Sequence, residues 1–383
     1  MDRARSPRGV HDSRPVDARL RLARRRQRVR RRRSMAVLAA LVVAVVAGEV
    51  ISRGGASGAR HGDRVGVAVT SPAGHPAPTS TPTTAGRPAG RPYPVGRTEL
   101  TVVEGSRQLP TTVRYPATAS GPSAPAVRAG GPFPLIVFSQ GFDISAEAYA
   151  ALLEHWAAAG YVVADPTYPA TDPGAAGGVD ENDIVNHPAD LSAVITAVLR
   201  AGSASTGVLS GVPDASSVGI AGHSDGGDVT DAVAANSCCR VATVRAAEVL
   251  SGAELASFGG SYDAPGALPV LVAQGSSDPI NFPACSEQIY DAAGPARYYL
   301  DLLGAGHHAP YMAAGPYQAP PARAAAYQSV VTRVTTDFWD AYLKHSASAL
   351  AAITVDGSQA GTSTLVAGPA VPVSGYCPGS PAG

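Results

Sequence analysis

The chain has 383 residues, 45% of them hydrophobic, and a formal net charge of +0, enough for a sizeable core in one large domain or two ordinary ones. That zero hides an asymmetry: residues 1–34 carry 14 Arg against 3 Asp, which leaves 16 basic and 27 acidic residues in the remainder. An acidic globular part argues against nucleic-acid binding.

The basic arm, residues 1–34, ends in Arg30-Arg31-Arg32-Arg33 and is followed by an uncharged apolar run from Met35 to Gly48. Positive charge before an apolar run is a topogenic signal. Residues 35–52 are expected to be a signal-peptide core or a retained membrane anchor, which places the remainder outside the cytoplasmic membrane, secreted or anchored. Residues 53–92 are rich in Pro, Thr, Gly and Ala without aliphatic periodicity, a composition that buries too little apolar surface to fold and serves as a spacer.

The folded domain is expected over residues 93–345, with 346–383 as a C-terminal extension. Arg97 to Glu104 and Leu109 to Tyr115 alternate in the manner of two antiparallel strands. Pro134 to Ser139 is a continuous apolar run, the pattern of a strand covered on both faces. Ser145 is placed to cap a helix over 146–159 that Gly160 closes. Strands are then predicted at 161–164, 217–221, 245–251, 268–274 and 297–303. Helices are predicted near 188–200, 228–236, 285–293 and 322–345. Strands alternating with helices predict an α/β fold: a mostly parallel sheet, helices on both faces, and an antiparallel N-terminal edge.

Within that alternation, Gly222-His223-Ser224-Asp225-Gly226 joins an apolar strand to a helix, the setting that lifts a serine onto a strained turn. Ser224 is the candidate nucleophile. Its partners should follow the carboxyl ends of strands. Asp278 follows Pro269 to Gly275 through Ser276-Ser277, and His307 follows Tyr298 to Leu303 through Gly304-Ala305-Gly306. A serine hydroxyl needs a base, here His307, and the imidazole needs an orienting carboxylate, here Asp278. His308 is the alternative base, Asp301 and Asp263 are the alternative acids, and His223 is expected to face away and pack the elbow. Oxyanion donors are expected from the backbone N–H groups of Asp225 and of Phe142, the latter in the loop Ser139-Gln140-Gly141-Phe142.

These motifs, with Gly304-Ala305-Gly306-His307-His308-Ala309-Pro310, resemble serine α/β-hydrolases: bacterial cutinase and polyester-hydrolase-like esterases, platelet-activating-factor-acetylhydrolase-like and chlorophyllase-like enzymes. The resemblance covers about residues 93–345. It implies an α/β-hydrolase fold and carboxylic ester hydrolysis through an acyl-enzyme. Gln140, where many relatives carry His-Gly, and Asp225, where cutinases carry an apolar residue, depart from the pattern and argue against carrying polyester or long-chain lipid substrates over from the resemblance.

With no long lid segment, the site is expected to be open, lined by Phe142, Tyr168, Ile280 and Tyr311, and suited to small or surface-presented esters. No cofactor or metal signature is present, and a monomer is expected. The alternatives are a cell-envelope acyltransferase using the same acyl-enzyme and a noncatalytic binding module. Cys238, Cys239, Cys285 and Cys377 lie beyond the apolar segment, so two disulfides are expected. Because bonding neighbours strains the peptide between them, each of Cys238 and Cys239 is expected to pair with one of the distant two.

Overall fold

Phe133–Ser139 is buried at every position, and that all-apolar run fixes the middle of the sheet. The structure, a computed structural model, describes residues 92–262, 268–312 and 319–381. The basic arm, the apolar segment, the spacer up to residue 91 and the rival acid Asp263 lie outside the described residues.

The strands are β1 (Val95–Glu104), β2 (Arg107–Pro116), the two-residue β3 (Gly121–Pro122), β4 (Phe133–Ser139), β5 (Val162–Pro166), β6 (Pro213–His223), β7 (Val244–Leu250), β8 (Val270–Gly275), β9 (Arg297–Leu302) and β10 (Ser363–Ala367). They form one sheet in the order β10-β9-β8-β7-β6-β4-β5-β2-β1-β3. The stretch from β5 through β9 is parallel throughout. The N-terminal hairpin joins it antiparallel, as the alternation predicted. The chain passes from β4 outward to β5 and returns on the other side of β4 to β6, which opens a crevice at the carboxyl ends of β4 and β6.

Among the described residues, six α-helices cover the sheet: α1 (Ala150–Ala158), α2 (His187–Ser203), α3 (Asp225–Ala235), α4 (Pro283–Ala292), α5 (Pro321–Leu343) and α6 (Ala347–Gly357). One face packs Trp156 of α1, Trp339 and Phe338 of α5 and Ile353 of α6 into a single core. Leu191 and Val194 of α2 and Val229 and Val233 of α3 fill the other. Trp156 and Trp339 meet edge to face at 6.0 Å, and the Trp156 indole N–H donates to Thr335 at 3.0 Å.

Three expectations are corrected. Ser145 makes no capping hydrogen bond; a 3-10 turn over Ala146–Tyr149 leads into α1 instead. The extension expected over residues 346–383 is part of the fold over its described residues, 346–381. Ser346 caps α6 by accepting from Ala349 N–H, and β10 completes the sheet antiparallel to β9. Its buried positions Ser363 and Leu365 alternate with exposed ones, a signal too short to stand out from the surrounding Gly and Ser.

The disulfides are Cys238–Cys239 and Cys285–Cys377, not pairs that split the neighbours. The tail after β10 runs along α4, with Val371 N–H donating to Asp291 and Ser374 N–H to Glu287. That path delivers Cys377 to Cys285 in the first turn of α4, buried with Ala253. The adjacent pair, just past α3, is left to close on itself.

Candidate active site

The elbow at Ser224 is enforced by close packing on both sides. Ser224 has φ 58° and ψ −125°, a region that L side chains resist. A Cβ on Gly226 would lie 2.5 Å from the Ser139 carbonyl carbon and 2.8 Å from Gln140 O, while one on Gly222 would strike the Gly226 carbonyl. The two glycines therefore let α3 start directly over the ends of β4 and β6. Ser224 N–H donates to Leu250 O at 3.0 Å, which ties the elbow to β7.

Asp278 and His307 come together just beyond the ends of β8 and β9. His307 Nδ1 lies 2.7 Å from Asp278 Oδ2, both side chains nearly inaccessible. Asp278 is held from several directions: Ile280 N–H and Asn281 N–H donate to Oδ1 at 2.8 and 3.1 Å, and the Gln274 amide donates to Oδ2 at 3.3 Å. A carboxylate satisfied in this way orients an imidazole without rotating itself. The loop carrying His307 is latched to the loop carrying Asp278, Gly304 N–H donating to Ser276 Oγ at 2.7 Å and Ser277 N–H to Ala305 O at 2.9 Å.

His307 is brought to the elbow through His223. The two rings lie 4.6 Å apart, and His223 Nε2 sits 2.9 Å from the His307 carbonyl oxygen. Burial, with the nearby His307 and His308, drives the His223 pKa well below its ordinary value. His223 is thus not a mere packing residue facing away. His308, the rival base, is buried with its ring 4.9 Å from that of His307, but the contact to Asp278 belongs to His307. Asp301 lies on β9, its carboxyl raised by burial and by Glu287.

The expected oxyanion loop packs against Ser224. A Cβ on Gly141 would lie 3.1 Å from Ser224 Cβ, and Gly141 N–H donates to Tyr149 Oη at 3.3 Å. Phe142, next along, is half-buried, as is Asp225. The loop is braced from below: Ser139 Oγ and Tyr168 Oη lie 2.7 Å apart, Tyr168 stacks on His187 at 3.8 Å, and the Gln140 amide donates to Asp172 at 3.4 Å.

Of the four residues expected to touch substrate, Phe142 and Ile280 stay partly accessible. Tyr168 is 0% exposed and Tyr311 2%, and that is a correction. Tyr168 belongs to the α2 side of the core, while the Tyr311 hydroxyl donates to Ala273 O at 2.9 Å and meets Ser251 Oγ at 3.1 Å. Both phenols are committed to the scaffold. Phe282, 42% exposed four residues after Asp278, is the accessible aromatic that the sequence reading passed over. Tyr149, Gln274 and Asn281 were also missed, because each reads as an ordinary core or turn residue.

Among the described residues, no group of three or more His, Cys, Asp or Glu side chains is placed to hold a metal ion. No helix among them is long and apolar enough to cross a membrane.

Residues 107–247 match the chlorophyllase family, a span that includes the Ser139–Phe142 loop and the elbow and ends before Asp278 and His307. No curated protein matches the chain. With the sheet order and elbow described above, that match makes the fold an α/β-hydrolase-like one, similar over residues 107–247 to the chlorophyllase family.

Proposed function

We propose that the protein is a serine carboxylesterase in which Ser224 is the nucleophile, His307 the general base and acid, and Asp278 the carboxylate that orients His307. The observation that carries this reading is the 2.7 Å contact between His307 Nδ1 and Asp278 in a loop tied to the residue preceding Ser224. With Nδ1 donating to Asp278, Nε2 is the nitrogen free to accept the Ser224 proton. Ser224 Oγ attacks the ester carbonyl, His307 takes its proton and returns it to the leaving alcohol, and water repeats the sequence to free the acid. The N–H groups of Asp225 and Phe142 receive the oxyanion. The hydrogen bond from Gly141 N–H to Tyr149 supports that assignment, since it commits the preceding amide elsewhere.

The accessible side chains near the acid loop, Ile280 and Phe282, favour an ester with a modest apolar group at an open site. The protein acts outside the cytoplasmic membrane, delivered or anchored by residues 35–52; two disulfides suit an oxidising compartment.

The test is hydrolysis of nitrophenyl esters of graded chain length by the full chain, with a fluorophosphonate label located by peptide mapping. Label on Ser224, preference for short chains, and a loss on the order of 10⁴-fold in Ser224→Ala and His307→Ala are expected. Undiminished turnover by Ser224→Ala would remove the serine mechanism.

A further inference from the structure

The elbow histidine and a tyrosine from the turn before α1 connect loops that the proposed mechanism treats as separate. Gly141 N–H donates to Tyr149 Oη at 3.3 Å, Tyr149 Oη lies 2.8 Å from His223 Nδ1, and His223 Nε2 lies 2.9 Å from the His307 carbonyl oxygen. With a neutral His223 ring, only one arrangement of protons satisfies all three contacts. A carbonyl oxygen can only accept, so His223 Nε2 carries the hydrogen. In a neutral ring Nδ1 then accepts, so the Tyr149 hydroxyl donates to it, and the same hydroxyl oxygen receives the Gly141 N–H. Every donor points the same way, from the oxyanion loop to the base loop.

We propose that Tyr149 and His223 are positioning residues: their hydrogen-bonded bridge from Gly141 to His307 holds the oxyanion loop and the base loop in register with Ser224. The inference rests on the serine mechanism proposed above and deepens it. The bridge passes on both sides of the nucleophile. Gly141 lies against Ser224, where a Cβ would come within 3.1 Å of Ser224 Cβ, and His223 precedes Ser224 in the chain. Its two ends reach the peptide unit before the Phe142 amide and the backbone of the base itself. A change at either end is therefore transmitted to the distance between donor, nucleophile and base.

The bridge is buried, and Asp225 is the carboxylate that acts on its Tyr149 end. Tyr149 and His223 are both 0% exposed. The groups facing His223 are the rings of Tyr149 at 5.6 Å, His307 at 4.6 Å, His308 at 5.9 Å and Tyr311 at 4.8 Å, none a carboxylate that would favour a second proton. Burial lowers the His223 pKa and raises that of Tyr149, so both stay in the neutral forms the bridge requires. The ring of Tyr149 also packs on Phe138 at 4.8 Å, so Tyr149→Phe removes the hydroxyl while retaining that contact.

The experiment compares kcat and KM per fluorophosphonate-titrated site in the full chain for wild type, Tyr149→Phe, His223→Gln, His223→Phe and the double variant Tyr149→Phe/His223→Gln. Loss of register predicts a fall in kcat of about ten- to a hundredfold in Tyr149→Phe with KM within about twofold. His223→Gln, whose amide can still donate to the His307 carbonyl, should keep more activity than His223→Phe. The double variant should lose less than the product of its singles, because both cut one bridge. Unchanged kcat per titrated site in Tyr149→Phe, or strictly multiplicative losses, would overturn the proposal. Wild-type protein gives an independent reading by ¹⁵N NMR: His223 should remain neutral with its hydrogen on Nε2 from pH 5 to 8, and a His223 that titrates in that range would overturn it. Failure of Ser224 to take the label would count against the serine mechanism, leaving the NMR result to decide the bridge.

Discussion

Replacing Gly226 with alanine tests whether the elbow is built by backbone contact. The added Cβ would stand 2.5 Å from the carbonyl carbon of Ser139 and 2.8 Å from Gln140 O. Carbon atoms pack at about 3.5–4.0 Å, so α3 and the end of β4 must separate by about 1 Å. Neither can do so freely. Ser139 is paired with Gly222, and β4 is bonded to β5 on its other edge, so the separation falls on residues 140–142 or on Ser224. Overpacking of this kind costs about 1–3 kcal/mol of stability, and a displacement of about 1 Å at reacting groups costs about a hundredfold in rate. Urea denaturation and kcat per titrated site should therefore both fall in Gly226→Ala. Gly207→Ala is the control: Gly207 has φ +107° with nothing within 4 Å of an added Cβ, so it should lose about 1 kcal/mol of stability through backbone strain and no activity per site. Wild-type stability and turnover in Gly226→Ala would show that the contact does not shape the site.

Glu248 is fully buried on β7, with neither carboxylate oxygen hydrogen-bonded, and burial holds its pKa well above 4.5; a raised folded pKa gives stability that is complete below the unfolded value and is lost as pH rises through the folded one. Glu248→Gln should accordingly gain in Tm relative to wild type as pH rises from 4.5 upward, and a pH-independent offset would refute this. Asp165, pushed up to about 7 by burial against the opposing pull of Arg114, acts in the same direction between pH 4 and 7, so Asp165→Asn should flatten the Tm profile in that window. Arg107 binds Asp183 and the fully buried Asp190; Arg107→Met should cost about 3 kcal/mol in urea denaturation, because it strands a buried carboxylate. Reduction should raise the intact mass by four hydrogens for the two disulfides, and Cys377→Ser should speed hydrogen exchange over residues 371–381 without altering Ser224 labelling.

The parallel core was legible because strands such as Phe133–Ser139 and Val270–Gly275 are buried at every position and are mostly apolar. The last strand was not legible. Ser363–Ala367 forms an edge, only one of its faces is covered, and its register depends on β9 rather than on its own pattern. The cysteine pairing failed for a related reason. Local strain between neighbours was weighed, but the route of the tail along α4, set by Asp291 and Glu287, decides which sulfurs meet.

The same distinction runs through the site. Ser224, Asp278 and His307 could be proposed from the sequence because the chemistry demands one residue type at each strand end, and few residues there qualify. Tyr149 could not, since a buried aromatic after a turn satisfies packing whether or not its hydroxyl is used. Tyr168 and Tyr311 show the converse: the sequence placed them near the site, and the fold spends their hydroxyls on Ser139 and on Ala273. A tyrosine's part in an active site is fixed by where its one polar atom ends, which is a property of the assembled sheet. The fold brings the Tyr149 hydroxyl within reach of both Gly141 and His223, and that makes an otherwise ordinary core residue the junction between the loop after β4 and the elbow.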